Sequence, residues 1–133
     1  MINDVEKVLL SEEQLTKRIA ELGEEITKEY KGKEIVAICV LKGAILFMAD
    51  LARAVKVPMA LDFMAVSSYG NGTTTSGTVR ILKDLDNNIE GKHVLVVEDI
   101  IDSGVTLKYL LKNLKSRKPA SIKLCTLLNK PEL

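Results

Sequence analysis

The feature that most constrains the fold is a continuous apolar run at residues 35–40, directly after the charged Glu34. An apolar run without polar alternation fits a strand that is covered on both faces, which is typical of parallel sheets. Further strands are predicted at residues 93–98 and 121–128, and segments of helical length lie between the strands. This alternation predicts an α/β fold around a largely parallel sheet.

Helix signals mark the other segments. Ser11 and Gln14 form a capping-box pattern before apolar residues that recur at helical spacing as far as Tyr30, and Gly32 supplies a stop signal. We predict two more helices at residues 44–55 and about 106–117, strands at 59–66 and 78–84, a polar loop at 67–77 and a turn at 86–88. Because we find no internal repeat or linker, residues 1–133 are predicted to form a single domain.

Composition excludes several classes of function. The chain has 19 Lys plus Arg against 18 Asp plus Glu and only 4% aromatic residues, which disfavours a nucleic-acid binder. The single histidine, His93, excludes a multi-histidine zinc site, and we expect this residue to be exposed rather than catalytic. Cys39 and Cys125 lie in apolar runs, so we expect buried free thiols in a reducing compartment. The chain has no signal-peptide pattern and no membrane-spanning apolar stretch, so we expect a cytoplasmic protein that does not bind membranes.

The most informative stretch is the end of the strand at 93–98 together with the turn that follows it. Three carboxylates cluster where a buried strand reaches the surface, and a short turn then enters a helix. Backbone N–H groups at a helix start favour an anion, especially a phosphate, while carboxylates suit sugar hydroxyls or magnesium. The pattern therefore predicts a site for a phosphorylated sugar. The carboxylates are those of Glu98, Asp99 and Asp102, and the turn consists of Ser103, Gly104, Val105 and Thr106.

Two other interpretations of this stretch stay open on spacing alone. Asp102 or Ser103 could merely cap the helix, or the chain could be an unrelated α/β phosphate binder, such as a flavodoxin-like signalling domain. A P-loop is disfavoured because Thr78 and Val79 follow the glycine spacing of residues 72–77 in place of the required Lys-Ser/Thr pair. The chain also lacks the G-x-G-x-x-G pattern of dinucleotide-binding oxidoreductases.

Residues 96–106, Val-Val-Glu-Asp-Ile-Ile-Asp-Ser-Gly-Val-Thr, closely resemble the phosphoribosyl-pyrophosphate (PRPP) signature of type I phosphoribosyltransferases. The Ile-Ile-Asp-Ser-Gly form resembles the 6-oxopurine enzymes, the hypoxanthine-guanine phosphoribosyltransferases of bacterial type. Three further segments match this family in the same order, at residues 41–43, 67–70 and 127–132. The resemblance thus covers nearly the whole chain and implies a Rossmann-like, three-layer core in which helices flank a largely parallel sheet.

The resemblance implies a role in purine salvage. The 5-phosphoribosyl group of PRPP is transferred to N9 of hypoxanthine or guanine, which gives IMP or GMP and pyrophosphate, with Mg²⁺ as cofactor. Glu98 and Asp99 would hold the ribose hydroxyls and help position the metal ion, and Asp102 would serve as general base or proton partner at purine N7. The residues implied to bind the 5′-phosphate are Asp102, Ser103, Gly104, Val105 and Thr106.

The resemblance gives roles to two segments before the signature. Leu41, Lys42 and Gly43 would bind pyrophosphate, with an unusual backbone geometry, a non-proline cis peptide bond, between Leu41 and Lys42. Ser68 and Tyr69 would belong to a flexible loop that closes over the leaving group and excludes water. The loop at 67–77 also fits a simple hairpin connection.

The last segment carries the purine contact. The resemblance implies that Lys130 donates a hydrogen bond to the 6-oxo group, but members of the family continue well past this point, whereas the sequence ends at Leu133. We therefore expect a core domain without the family's C-terminal hood, which retains part of its PRPP binding and has weak or no turnover. The alternative is a non-catalytic PRPP- or nucleotide-binding regulatory module. The resemblance also implies a homodimer or homotetramer.

Overall fold

The computed structural model describes residues 11–69, 78–101 and 105–129, and at the strand and helix ends next to the gaps it describes the backbone alone. The chain forms helices and strands in the alternating order that the apolar runs predict. The helices are α1 (Glu12–Glu29), α2 (Ile45–Ala54) and α3 (Val105–Lys115), and the strands are β1 (Ile35–Leu41), β2 (Met59–Tyr69), β3 (Thr78–Lys83), β4 (His93–Ile101) and β5 (Ser121–Asn129).

The five strands form one sheet in the order β3-β2-β1-β4-β5. The four strands β2, β1, β4 and β5 run parallel to one another, and β3 pairs with β2 in the antiparallel direction. The register aligns Cys39 of β1 with Phe63 of β2 on one side and with Val97 of β4 on the other. The prediction of a largely parallel sheet is confirmed.

Each face of the sheet is covered by helices. Alternate residues of the central strands point to opposite faces, so each strand contributes to two apolar clusters. One cluster joins Cys39 and Val97 to the buried faces of α1 and α2, and the other joins Val40 and Val96 to Leu110 of α3. The predicted three-layer arrangement is confirmed.

The first helix begins as its sequence predicts. The Ser11 hydroxyl oxygen accepts the Gln14 backbone N–H at 3.0 Å, and the Gln14 side-chain oxygen accepts the Ser11 N–H at 2.8 Å. After the C-cap residue Tyr30, Gly32 adopts a φ of 80°, which glycine reaches without strain. In the part of the chain that the structure describes, no helix is both long and apolar enough to cross a membrane.

Two strands, β2 and β4, extend three residues beyond their predicted ends. The prediction of a loop that begins at Ser67 is wrong, because β2 continues to Tyr69 and residues 67–69 pair with residues 78–80 of β3. Similarly, β4 continues from Glu98 to Ile101, where it pairs with Asn129 of β5. Pairing with a partner strand decides where a strand ends, and local composition does not reveal that partner. Helix α3 ends at Lys115, two residues before its predicted end.

Candidate active site

A topological switch point lies between β1 and β4. From β1 the chain crosses through α2 to β2, whereas from β4 it crosses through α3 to β5 in the opposite direction along the sheet. The two crossover helices pack on opposite faces. Where neighbouring parallel strands send their connections to opposite faces, a crevice opens outside their carboxyl ends, and ligands of α/β proteins bind there.

The segment that leaves β1 at this crevice is Leu41-Lys42-Gly43. The peptide bond between Leu41 and Lys42 is cis, as the family resemblance implies. Lys42 and Gly43 are exposed, and Ala44 then caps α2 without a side-chain hydrogen bond. The Ile45 N–H donates to the Lys42 carbonyl oxygen at 3.1 Å. The start of α2, whose dipole favours an anion, therefore directly follows an exposed lysine at this point.

Two acidic residues of the neighbouring strand follow at the same edge. The last register pair between β1 and β4 is Cys39 with Val97, and Lys42 follows Cys39 by three residues, while Glu98 and Asp99 follow Val97 directly. Adjacent strands are about 4.8 Å apart. Lys42 is more than 50 positions away from the two acidic residues in the sequence. The fold nevertheless brings all three residues to the carboxyl ends of β1 and β4, at the switch point.

Glu98 has a defined place on β4. Val94 and Val96 face the α3 side of the sheet, so the alternation of the strand places Glu98 on that same face. Its side chain is half-buried, and its register partner on β5 is Thr126. Thr106 lies in the first turn of α3, which covers this face, and it is also half-buried.

The remaining predicted site residues are placed in part. The backbone of Ser68 and Tyr69 lies at the end of β2 and pairs with Val79 and Thr78 of β3. Their role in a flexible segment that closes over the leaving group stays a prediction. Asp99 and Val105 have described backbones, whereas residues 102–104 and Lys130 lie outside the described residues.

The opposite edge of the sheet carries a wide depression of about 640 Å³, lined by residues 34–36, 58–60 and 91–93. It lies at the amino ends of β1, β2 and β4, away from the switch point. His93 is half-buried there rather than exposed, because its ring packs edge-on against Tyr30 and its Nδ1 lies 2.8 Å from the Ser121 hydroxyl. It is the first residue of β4, at the end of that strand opposite to the switch point.

The two thiols do not supply a nucleophile. Cys39 and Cys125 are free and buried, as predicted. Burial raises the pKa of the Cys125 thiol to about 11, and the nearby Arg18 opposes this shift only in part. A thiol with so high a pKa carries almost no thiolate at neutral pH.

Sequence reasoning missed two polar residues inside strands. Asp62 of β2 is only 2% exposed, and its carboxylate accepts backbone N–H groups from the connection after β3. Thr126 of β5 is half-buried beside Glu98. The sequence did contain a signal for both residues, since each is a polar residue within a predicted strand. A polar side chain that is buried in a strand needs a hydrogen-bond partner, so such a position is informative.

In the residues that the structure describes, no three His, Cys, Asp or Glu side chains come close enough together to hold a metal ion. The side chain of Asp99 and the whole of Asp102 lie outside that description. Of the two residues that the family resemblance implies as metal ligands, Glu98 and Asp99, the Glu98 side chain is described, and its carboxylate oxygens are of the kind that a hard cation prefers.

Comparison with known proteins relates the chain to one family. Residues 7–133 match the phosphoribosyl transferase domain. The chain is 56% identical over 135 residues to the hypoxanthine-guanine phosphoribosyltransferase of Mycobacterium tuberculosis strain H37Rv, covering 97% of this chain and 67% of that protein. It is 54% identical over 131 residues to the Bacillus subtilis protein of the same name, covering 98% of this chain and 73% of that protein.

Solved structures agree with these sequence matches. The crystal structure of a hypoxanthine phosphoribosyltransferase from Staphylococcus aureus superposes with a TM-score of 0.90 at 46% identity, covering 99% of this chain and 72% of that chain. The chain thus spans about two thirds to three quarters of the length of these relatives.

Proposed function

The chain belongs to the phosphoribosyltransferase family, and from this membership we propose that it acts in purine salvage. The reaction transfers the 5-phosphoribosyl group of PRPP to N9 of hypoxanthine or guanine. The products are IMP or GMP and pyrophosphate, so the chain is an enzyme of the glycosyltransferase class. The names of the relatives, hypoxanthine-guanine phosphoribosyltransferase, support this substrate class.

One observation carries the proposal most directly, namely the convergence of Lys42 and Glu98 at the switch point between β1 and β4. PRPP carries anionic phosphates at one end and vicinal hydroxyls on the ribose ring. A cationic loop beside a carboxylate-bearing strand end matches both features, because ammonium groups attract phosphate and carboxylates accept hydroxyl protons.

We assign pyrophosphate binding to Leu41, Lys42 and Gly43. The exposed ammonium group of Lys42 and the start of α2 both favour the anion that develops when the C1′–oxygen bond breaks. Donors that are already in place before the bond breaks stabilise the growing charge without reorganisation. Leu41 ends the buried strand and so fixes the point at which this loop begins.

The sugar is assigned to Glu98 and Asp99, which accept hydrogen bonds from the 2′- and 3′-hydroxyls. The relatives imply a divalent metal ion, and we propose Mg²⁺, because carboxylate and hydroxyl oxygens are the ligands that it prefers. When bound, the ion neutralises charge on the pyrophosphate and orients it. The half-buried Glu98 at the sheet edge fits such a ligand because one side of it stays accessible.

The proton and the 5′-phosphate are assigned to the turn between β4 and α3. As the N9–C1′ bond forms and the electron pair of the C1′–oxygen bond leaves with pyrophosphate, Asp102 accepts the proton that the base releases at N7. The 5′-phosphate is bound by Ser103, Gly104, Val105 and Thr106. Support comes from the position of Val105 as the first residue of α3 and of Thr106 in its first turn.

Four further assignments complete the proposal. Ser68 and Tyr69 form one arm of the hairpin that closes over the leaving group, and Lys130 donates to the 6-oxo group of the purine. Homodimers or homotetramers are supported by the large apolar side chains of Ile45 and Leu46, which are 43% and 77% exposed on α2. Two free buried thiols support a reducing, cytoplasmic compartment.

The test combines binding with turnover. Calorimetry of the 133-residue chain with PRPP and MgCl₂ is expected to show one binding event that EDTA abolishes. Formation of IMP and GMP is then followed with hypoxanthine and guanine, and it also tests the prediction of weak turnover. If PRPP produces no heat and neither base yields a product, the proposed function is wrong. If PRPP binds without turnover both in this chain and in a chain extended by the C-terminal part of the Bacillus subtilis relative, the regulatory-module alternative is favoured.

A further inference from the structure

Thr126 occupies a position that none of the assignments above uses. It lies on β5, and its register partner on the adjacent strand is Glu98. Leu124 and Cys125 face opposite sides of the sheet, and the alternation places Thr126 on the side of Leu124, which is the α3 side. Glu98 faces the same side, so the two side chains are neighbours on one face at a strand spacing of about 4.8 Å.

The residue type at this position is informative. The neighbours Leu124, Cys125 and Leu127 are apolar, and a β-branched apolar residue such as valine would fit the same half-buried place. A threonine differs from valine by one hydroxyl group, and a hydrogen bond to an acceptor beside it stabilises such a group. The carboxylate beside it is an acceptor with several lone pairs, so the pair is chemically complementary.

We propose that Thr126 is a positioning residue for Glu98, an inference that rests on the proposed function. The Thr126 hydroxyl donates a hydrogen bond to one carboxylate oxygen of Glu98 and leaves the other oxygen directed at the ribose hydroxyls and the metal ion. Glutamate has three side-chain torsions, and holding them before the ligand arrives reduces the entropy lost on binding. Partners that orient a ligating side chain commonly contribute about tenfold or more to affinity.

The test compares variants of Thr126 in the full chain. Thr126→Val keeps the shape and removes the hydroxyl, and we expect it to weaken PRPP binding in MgCl₂ by about tenfold and to raise the Mg²⁺ concentration needed for half-maximal binding. Thr126→Ser restores the hydroxyl and is expected to bind within about twofold of the unsubstituted chain. Thr126→Ala is measured in parallel, so that the result does not depend on how valine packs. Thr16→Val, at an exposed site on α1, is the matched control and is expected to change nothing.

A double-mutant cycle separates positioning from a purely structural effect. In a Glu98→Ala background we expect Thr126→Val to lose most of its effect on PRPP binding, because no side-chain acceptor remains for the hydroxyl to orient. A tenfold effect that persists in that background, or a Thr126→Val chain that binds PRPP like the unsubstituted one, would overturn the positioning role alone. A chain without substitutions that binds no PRPP would overturn the proposed function instead, so the two failures are distinguishable.

Discussion

The carboxylate of Asp62 accepts the backbone N–H of Asp86 at 3.1 Å, although the two residues are 24 positions apart. The same carboxylate accepts the N–H of Asn87 at 3.2 Å and that of Phe63 at 2.8 Å. A side chain that is only 2% exposed thereby ties the connection between β3 and β4 to β2. This connection leads into β4, which carries Glu98 to the switch point.

Replacing Asp62 by Asn is expected to destabilise the fold by about 1–3 kcal/mol, because an amide group would turn a donor toward a backbone N–H group and leave it unpaired. The free energy of unfolding in urea measures this loss. Asp50→Asn is the control, since Asp50 is half exposed and its pair with Arg53 lies at the surface, where such pairs contribute little. Equal stability of the two variants would contradict a structural role for Asp62.

Gly23 of α1 marks the closest approach to α2. A β-carbon on Gly23 would lie 2.5 Å from Cβ of Ala54 and 2.8 Å from the Ala54 carbonyl oxygen. Gly23→Ala is therefore expected to lower the free energy of unfolding by about 1–3 kcal/mol, although alanine favours helices. Glu24→Ala, at the next and exposed position, serves as the control in thermal unfolding. A Gly23→Ala chain that is more stable than the original would show that the helices separate without cost.

Lys42→Ala is expected to weaken PRPP binding by about 10- to 150-fold, because a charged hydrogen bond to phosphate contributes about 1.5–3 kcal/mol. Calorimetry with PRPP in MgCl₂ measures the change. Lys31→Ala removes an equally exposed charge just before β1, at the opposite edge of the sheet, and should bind PRPP within about twofold of the unsubstituted chain. Equal losses in both variants would indicate a general effect of net charge rather than a contact at the switch point.

Stability is expected to fall in alkaline solution because of Cys125. Burial raises the pKa of its thiol to about 11 in the folded chain, while an unfolded cysteine titrates near pH 8.5. Between these values the unfolded chain releases a proton that the folded chain keeps, so the free energy of unfolding decreases as the pH rises. Burial also raises the pKa of Tyr30, which acts in the same direction at still higher pH.

Urea unfolding at pH 8 and pH 10 tests this dependence. Cys125→Ala removes the thiol and keeps Tyr30, so its stability should decline less between the two pH values than that of the unsubstituted chain. Cys39→Ala is a useful comparison, because it removes the other buried thiol from the same apolar cluster. An identical decline in the chain and in Cys125→Ala would show that other groups cause the alkaline destabilisation.

The sequence by itself determined the local elements and the family. The start of α1 follows from Ser11 and Gln14, whose side chains and backbone N–H groups lie within one helical turn. The buried strands follow from their apolar runs, because a strand that is buried on both faces can be recognised from its own composition alone. The signature at residues 96–106 indicated the phosphoribosyltransferase family, which the comparisons confirm.

Only the tertiary structure decided which segments meet. The extension of β2 to Tyr69 and of β4 to Ile101 depends on ladders with β3 and β5, and the contact of Gly23 with Ala54 depends on how α1 packs on α2. The order β2-β1-β4 likewise brings Lys42 beside Glu98, and pairing with β5 brings Thr126 beside the same carboxylate. The physical reason is that capping and hydrophobic periodicity depend on residues that are close together in the sequence. Strand pairing and helix packing, in contrast, each involve two segments that are far apart in the sequence. The residues of one segment do not reveal which other segment it will contact.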